Sequence, residues 1–589
     1  MKRLQKSPFS RQFIRNITGK PTLQNSSTAT SNKPPAYEPD FSITQTTYSY
    51  QLPVANELES DIRVSASPIS LLFEYTGVET STANYSKNQE AFETYPLTTF
   101  KKLSAKYANL IKKQQEISRR SNAQIAIERP RNLKLTCKDF IDDSLYNPSY
   151  GYFNKDVEIF HLDKPFDYRG IASTDEFIDV WMEHYSKYNQ HRSNGLQLWH
   201  TPSELFQPYY GQAVANFMVN QYKSKIQPKG KNMVIYEIGA GNGTLMQNVL
   251  DHLKATEPEI YENVEYRIIE ISNKLYHKQV SNKVHESKIK LINKDIFQWN
   301  ELVEDEVFFL AFEVFDNFAH DVLKYNIRTK LPYQGYVVID KHNEFKEFFN
   351  PKLDYWTHFF LDLRSKTSYQ QKLDSRFAVQ KWLDPKSPAD ELEELNEFRN
   401  YCWPFRNKLT WSSEFIPTKL LEFFTILNKY FPNHHLLATD FSRFDGAVEP
   451  SYNGPVVQTL FLANDKLEND TRIAKPRAPN PMATSVVNKK DGDDKVDKKL
   501  EYKVSLIPKD KMVNTSTYMV HQGYFDIMFP TNFPLVTELY ELVTGKKASH
   551  CGHGNFLQQH SKNLDMTTCK NGENPMLEFY KNVEFMYTK

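Results

Sequence analysis

The chain has 589 residues, 40% of them apolar and 25% charged, enough for two or more domains and a large core. Its 73 basic and 72 acidic side chains leave a net charge of +1, which excludes a global basic field for nucleic acid but not a local basic groove. Cys137, Cys402, Cys551 and Cys569 are scattered without a C-x-x-C pair, which argues against a disulfide scaffold or a zinc ribbon.

In residues 1–20, Lys2, Arg3, Lys6, Arg11, Arg15 and Lys20 alternate with Leu4, Phe9, Phe13, Ile14 and Ile17, and no acid occurs before Glu38. A basic, acid-free, apolar-punctuated start is expected of a mitochondrial presequence, with a disordered basic tail as the alternative. Residues 22–60, rich in Ser, Thr, Asn and Pro, are not expected to pack. No apolar run of about 18 residues follows, so no membrane span is expected.

A helical N-terminal region is expected over 61–225. Phe100, Leu103, Tyr107, Leu110 and Ile111 mark one helical face, and residues 137–153, CKDFIDDSLYNPSYGYF, end in an aromatic-flanked turn. Residues 201–219, TPSELFQPYYGQAVANFMV, read as a helix capped by Thr201 or Ser203 and packed by Phe206, Tyr210, Val214 and Phe217.

Residues 233–250, MVIYEIGAGNGTLMQNVL, hold the densest signal. Met233, Val234, Ile235 and Ile238 suit a strand buried on both faces, while Leu245, Met246, Val249, Leu250 and Leu253 recur at helical spacing. Between them Gly239, Gly241 and Gly243 permit positive φ and close approach of a ligand, and the amides opening the helix favour an anionic group. Glu237 can accept hydrogen bonds from a ligand ammonium. A dinucleotide fingerprint, G-x-G-x-x-G, would need its third glycine at Thr244, so the spacing counts against NAD or FAD. Glu270 closes the next strand, where a carboxylate can hold two ribose hydroxyls in either kind of site. Together these residues point to S-adenosylmethionine as the cofactor.

Alternating elements continue as a doubly wound α/β sheet requires. A helix is expected from Glu270 to about Val284, then a strand over 288–297. Asp295 stands either near an adenine amino group or as a turn cap, and both readings stay open. A fourth strand, 307–313, delivers Glu313 and then Asp316 to the carboxyl edge, where the methyl acceptor would lie. Two carboxylates there can grip a guanidinium by bidentate bonds, with helix capping as the alternative for Asp316. The core is expected over 226–350, with an antiparallel excursion at 320–350, an insertion or lid at 351–412 and further core at 413–463. Within the last, a helix is expected at 417–431 and a strand from His434 to Asp440, an acid given no chemistry. A solvated loop at 464–499 precedes the C-terminal part of the core, 500–589, with a strand at 500–508 and a helix at 534–545 capped by Gly545. His550, Cys551, His553 and His560 crowd together, but the glycines between them favour a loop over a metal site.

Taken in order, DSLYNPSYGYF, TPSELF with a Tyr-Gly beyond it, EIGAGNGTLM and EVFDNF resemble segments of the MidA-like methyltransferases of mitochondria and bacteria. The likeness thins through YMVHQGYFDIMFPTNF and GNFLQQHSK and spans about residues 95–565. It implies a Rossmann-like class I methyltransferase fold, a mitochondrial matrix location, protein arginine methylation and a role in respiratory complex I assembly. It also implies that Thr201 and Glu204 close over the cofactor. The sequence departs from the family in having Phe312 where an Asn precedes the acid, no Asp ahead of Thr201, and Ala319 where a Pro is usual. Those departures motivate a second expectation, a catalytically inactive assembly factor binding a mitochondrial protein or ribosomal RNA. An NAD-dependent oxidoreductase is a third.

Overall fold

In the computed structural model the described residues are 46–47, 92–120, 129–154, 158–190, 198–271, 275, 279, 285–326, 332–341, 343, 345–368, 411–444, 447–448, 453–461, 511–515, 517–520 and 522–589. The basic N-terminal segment, the 464–499 stretch, the 500–508 strand and much of the 351–412 insertion lie outside them. Of the stretch after Glu270, where a helix is expected, Ile271, Leu275 and Gln279 are described, the first outside a helix and the other two helical.

A seven-stranded sheet carries the site. Its strands are β1 (Val234–Ile238), β2 (Glu265–Ile269), β3 (Ile289–Ile292), β4 (Val307–Phe312), β5 (His434–Phe441), β6 (Ala548–Gly552) and β7 (Val583–Thr588). They lie in the order 6-7-5-4-1-2-3, with β1 to β5 joined in parallel and β7 antiparallel to both its neighbours. The direction of winding reverses between β1 and β4, so their carboxyl ends flank the crevice where ligands of such sheets bind.

The helices used below are α1 (Phe100–Arg120), α2 (Cys137–Tyr146), α3 (Tyr209–Gln221), α4 (Thr244–Thr256), α5 (Thr418–Tyr430), α6 (Phe533–Thr544) and α7 (His553–His560). Side chains alternate across the sheet. Ile235, Ile268, Phe308, Leu310 and Phe585 pack with α3, α4 and α7, whereas Val234, Tyr236, Phe309, Ala311 and Met586 pack with α5 and α6. Both faces are therefore covered, which is why β4 reads as an unbroken apolar run and β1 nearly so. Leu245, Met246, Val249, Leu250 and Leu253 of α4 are all buried. At roughly 1.5–3 kcal/mol each, they anchor the helix that follows the glycine loop.

The antiparallel excursion forms as expected from strands Asp321–Asn326, Pro332–Ile339 and Phe345–Asn350. Trp411–Ile416 pairs with its first strand and Leu133–Thr136 with its second. Two expectations need correction. The single helix read at 201–219 is a one-turn helix, Pro202–Leu205, followed by α3, because Pro208 supplies no amide to carry the ladder between them. His550, Cys551, His553 and His560 lie not in a loop but on β6 and α7, where pairing with β7 and packing against Phe585 outweigh the local glycines. No group of three metal-ligating side chains occurs among the described residues, and no described helix is long and apolar enough to cross a membrane.

Candidate functional site

A cavity of about 880 Å³ opens at the carboxyl ends of the parallel strands. Glu237, Gly239, Gly241, Glu270, Asp295, Glu313 and Asp316 line it, and Thr201 and Glu204 line it from the one-turn helix. Gly243 stands just behind as the N-cap of α4, so of the residues singled out from sequence it alone is not in the wall.

At the β1 end the wall is built of partnered groups. Gly239, Gly241 and Gly243 have φ of +67°, +55° and +82°. A Cβ on Gly239 would stand 2.8 Å from Val314 Cγ1, and one on Gly241 would stand 2.8 Å from Ile159 Cδ1. Only glycine lets the backbone take this path, and it brings the loop amides and the start of α4 to the cavity. The Tyr266 hydroxyl donates to Glu237 Oε2 at 2.8 Å. Burial first, and the Glu270 charge after it, raise the Glu237 carboxyl to about 7 against that bond. Gln279 Nε2 donates to the Gly241 carbonyl at 2.9 Å and to Glu270 Oε2 at 3.3 Å, tying the second acid to the loop.

Glu204 is the clasp on the opposite side. Its Oε1 accepts from Asn242 Nδ2 at 2.7 Å and from the Thr244 hydroxyl at 2.8 Å, while Oε2 lies 2.8 Å from His161 Nδ1. Thr201 caps the one-turn helix by accepting from the Glu204 amide at 3.3 Å, which fixes where that carboxylate points. Asp295 forms a turn cap at the cavity wall: its carboxylate accepts from the Phe297 amide at 2.9 Å and from Gln298 Nε2 at 3.3 Å.

The β4 end differs in character. Glu313 adopts φ +52°, a conformation costing a non-glycine residue on the order of 1–3 kcal/mol. Its amide donates to the Thr439 carbonyl at 2.8 Å. Asp440 holds the next residues, its Oδ2 accepting from the amides of Phe315 at 2.7 Å and Asp316 at 3.2 Å. Asn317 Nδ2 donates to Asp526 Oδ1 at 2.9 Å and to the Ile527 carbonyl at 3.2 Å. So Glu313 and Asp316 are displayed on a strained loop pinned from β5 and from strand Asp526–Met528. Asp316 caps no helix, and its Oδ1 is buried without a partner. Burial, then Asp440 and Glu204, push the Glu313 carboxyl well above its usual range; burial, then Asp440, Asp526 and Glu313, do the same to Asp316.

Sequence reasoning missed the supporting groups. Asn242 and Thr244 sit inside the glycine motif, but nothing local shows that they reach Glu204. Asp440 was noted without a role, and the structure makes it the carboxylate that positions the β4 loop. Asp143 accepts from Tyr150 at 2.5 Å, Asn147 at 2.8 Å and Gln522 at 2.7 Å, which explains the order of polar and aromatic residues in DSLYNPSYGYF. Phe312 faces Tyr210 and Phe585 edge-on at 6.3 and 6.0 Å.

The residues present fit S-adenosylmethionine. A Cβ on Gly239 or Gly241 would crowd Val314 or Ile159, the N-terminus of α4 suits an anionic group, and the two buried acids at the ends of β1 and β2 could hold an ammonium and a ribose. When bound, that cofactor supplies an electrophilic methyl group, so no covalent nucleophile is needed from the chain.

Comparison with known proteins agrees. Residues 213–551, more than half of the chain, match the model of a family described as "Putative S-adenosyl-L-methionine-dependent methyltransferase". A mitochondrial relative from Schizosaccharomyces pombe, named as a protein arginine methyltransferase NDUFAF7 homolog, is 24% identical over 355 residues, covering 57% of this chain and 68% of its own. Among solved structures, a candidate methyl transferase from Burkholderia thailandensis bound to S-adenosyl-homocysteine is 12% identical and has a TM-score of 0.42, with 83% of this chain and 94% of that one covered. An S-adenosylmethionine-dependent methyltransferase from Clostridium acetobutylicum is 7% identical with a TM-score of 0.24, covering 70% and 98%. The chain belongs to the S-adenosylmethionine-dependent methyltransferase family that its residues 213–551 match, and S-adenosylmethionine is its cofactor.

Proposed function

We propose that the chain methylates an arginine side chain of a mitochondrial matrix protein and thereby supports assembly of respiratory complex I. The observation that carries this reading is the pair of acids on the β4 loop, Glu313 largely buried at the cavity wall and Asp316 with a buried oxygen lacking a partner. A guanidinium is planar and cationic, and two carboxylates can hold it by charge-assisted bonds while one nitrogen stays free to face the methyl group. When bound, the cofactor would supply the methyl group; the guanidinium charge would hold Glu313 ionised, so that it could take the proton shed by the methylated nitrogen. Thr201 and Glu204 close the cofactor side and exclude water, while Glu237, Gly239, Gly241, Gly243 and Glu270 hold the cofactor. Asp295 borders the same cavity, with its carboxylate committed to the turn it caps. The expected partner is a protein; the charge balance offers no support for nucleic acid. The mitochondrial name of the relative supports the location.

Phe312 favours a second reading, an assembly factor that binds its partner without turnover, because it removes an amide donor beside Glu313. Radiolabelled methyl donor, the full chain and mitochondrial extract from a strain lacking the protein separate the two. Label in one protein band, lost with Glu313→Ala, supports the enzyme. Cofactor binding without label supports the assembly factor.

A further inference from the structure

At the β4 end Glu313 and Asp316 line the cavity, and two more carboxyl groups, Asp440 and Asp526, stand behind them. Asp440 reaches the amides of Phe315 and Asp316, and Asp526 reaches Asn317, so Glu313 and Asp316 are flanked from two different elements. The remaining groups facing them are also acids or neutral phenols: Glu204 from the one-turn helix, Tyr210 from α3, Tyr146 from α2, and Tyr580 ahead of β7. The nearby cation Lys419 is already engaged, with Asp142 at 3.0 Å and Glu422 at 3.6 Å. His200, His320 and His553 on adjoining segments are kept neutral by burial, which lowers them to about 4, 3 and 3. Asp316 Oδ1 and Asp526 Oδ2 are buried without partners.

An acid cluster with no internal cation is stabilised by a positive ligand and is left unbalanced by a neutral one. The site meets both in each turnover. The cofactor carries a sulfonium, while its product, S-adenosylhomocysteine, has an uncharged sulfur and is otherwise the same apart from the methyl. Contact between the glycine loop and the β4 loop, shown by Gly239 against Val314, puts the cluster next to the cradle.

We propose that Asp440 and Asp526, with Glu313 and Asp316, form a charge-reading wall that prefers the sulfonium cofactor over its uncharged product and gives up a proton when the cofactor binds. After transfer the sulfur loses its charge, the wall takes the proton back, and the product is held less tightly. The inference rests on the cofactor assignment and not on the identity of the acceptor.

The test is titration calorimetry of the full chain with S-adenosylmethionine and with S-adenosylhomocysteine, from about pH 6 to about pH 8, in two buffers of different ionisation heat. Both ligands share the ammonium and carboxylate, so only the difference between them reports the wall. The expected result is that affinity for the cofactor relative to the product rises about fivefold or more over that range, with buffer-dependent heat for the cofactor. Asp526→Asn, which keeps a carbonyl facing Asn317, should reduce the gain to below about twofold; Asp440→Asn should do the same if it folds by thermal melt. Parallel profiles for the two ligands in the wild-type chain would overturn the proposal. So would a full gain retained in Asp526→Asn. Absence of binding heat for both ligands would remove the cofactor assignment itself, an outcome distinguishable from parallel profiles.

Discussion

The two ends of the cavity are built on opposite principles. At the β1 end the glycine loop, Glu237, Glu270 and Glu204 all have protein partners, and the shape is fixed before any ligand arrives. At the β4 end a strained loop presents acids that lack cationic partners, and one of them, Asp316, and the neighbouring Asp526 each carry a buried oxygen without a hydrogen bond. A preorganised cradle loses little on binding, whereas an unbalanced acid cluster gains most when a cation enters. One end is suited to recognising a constant cofactor, the other to responding to charge.

The contrast can be broken most sharply at Glu313. Glu313→Gln keeps the side-chain volume and removes the proposed proton acceptor, so methyl transfer should fall by on the order of 1,000-fold while cofactor affinity changes by less than about tenfold. Parallel loss of both would show that the two ends are not separable. At the other end, Gly239→Val forces a side chain onto Val314 at a residue with φ +67°. Cofactor affinity should drop by about 100-fold by calorimetry, with the fold intact by circular dichroism.

A third substitution tests the scaffold rather than either end. Asp143→Ala strands three donors, Tyr150, Asn147 and Gln522, in the interior. Chemical denaturation should show a loss of about 3 kcal/mol, and a loss below about 1 kcal/mol would mean that those donors find other partners.

The smallest effect is the pH dependence of the ligand-free protein. Asp142, Asp440 and Asp526 are raised from 3.8, and Glu237 from 4.5, to about 7 each. A folded state that binds more protons than the unfolded one loses stability as pH rises through these values. The buried histidines His200, His320, His434 and His553, lowered from 6.5 to about 3–4, act in the opposite direction, but only below their unfolded value. Above about pH 6.5 the carboxyls outweigh the fading opposition of the histidines, and Lys324, lowered from 10.5 to about 8, opposes them only towards the top of the range, so melting temperature should fall from there to about pH 8. Saturating S-adenosylmethionine should shrink that fall; a flat ligand-free profile would show that the carboxyls are not raised.

The cofactor end could be read from sequence because its information is local. Glycines at alternate positions between an apolar run and a helical pattern specify strand, loop and helix within 233–250. The same locality revealed β4, Glu313 and Asp316 as the end of an apolar run. What locality hides is support. Asp440 reaches the β4 loop across more than a hundred residues, and Glu204 reaches Asn242 and Thr244 from an element before the sheet begins. For Asp295 the sequence left two readings; the structure shows the turn cap, with the Phe297 amide 2.9 Å from its carboxylate, on a residue that also lines the cavity. The histidine cluster near the C-terminus was misread because strand pairing with β7 is invisible in a local pattern of His, Cys and Gly.

The most direct test of the proposed activity is amino-acid analysis of the labelled acceptor. The full chain is incubated with S-adenosylmethionine carrying a radiolabelled methyl group and with mitochondrial extract from cells lacking the protein, and the labelled band is hydrolysed. Methylarginine as the labelled product, absent with Glu313→Gln, is the predicted result. Label recovered in any other amino acid, or no label from a chain that binds the cofactor, would contradict it.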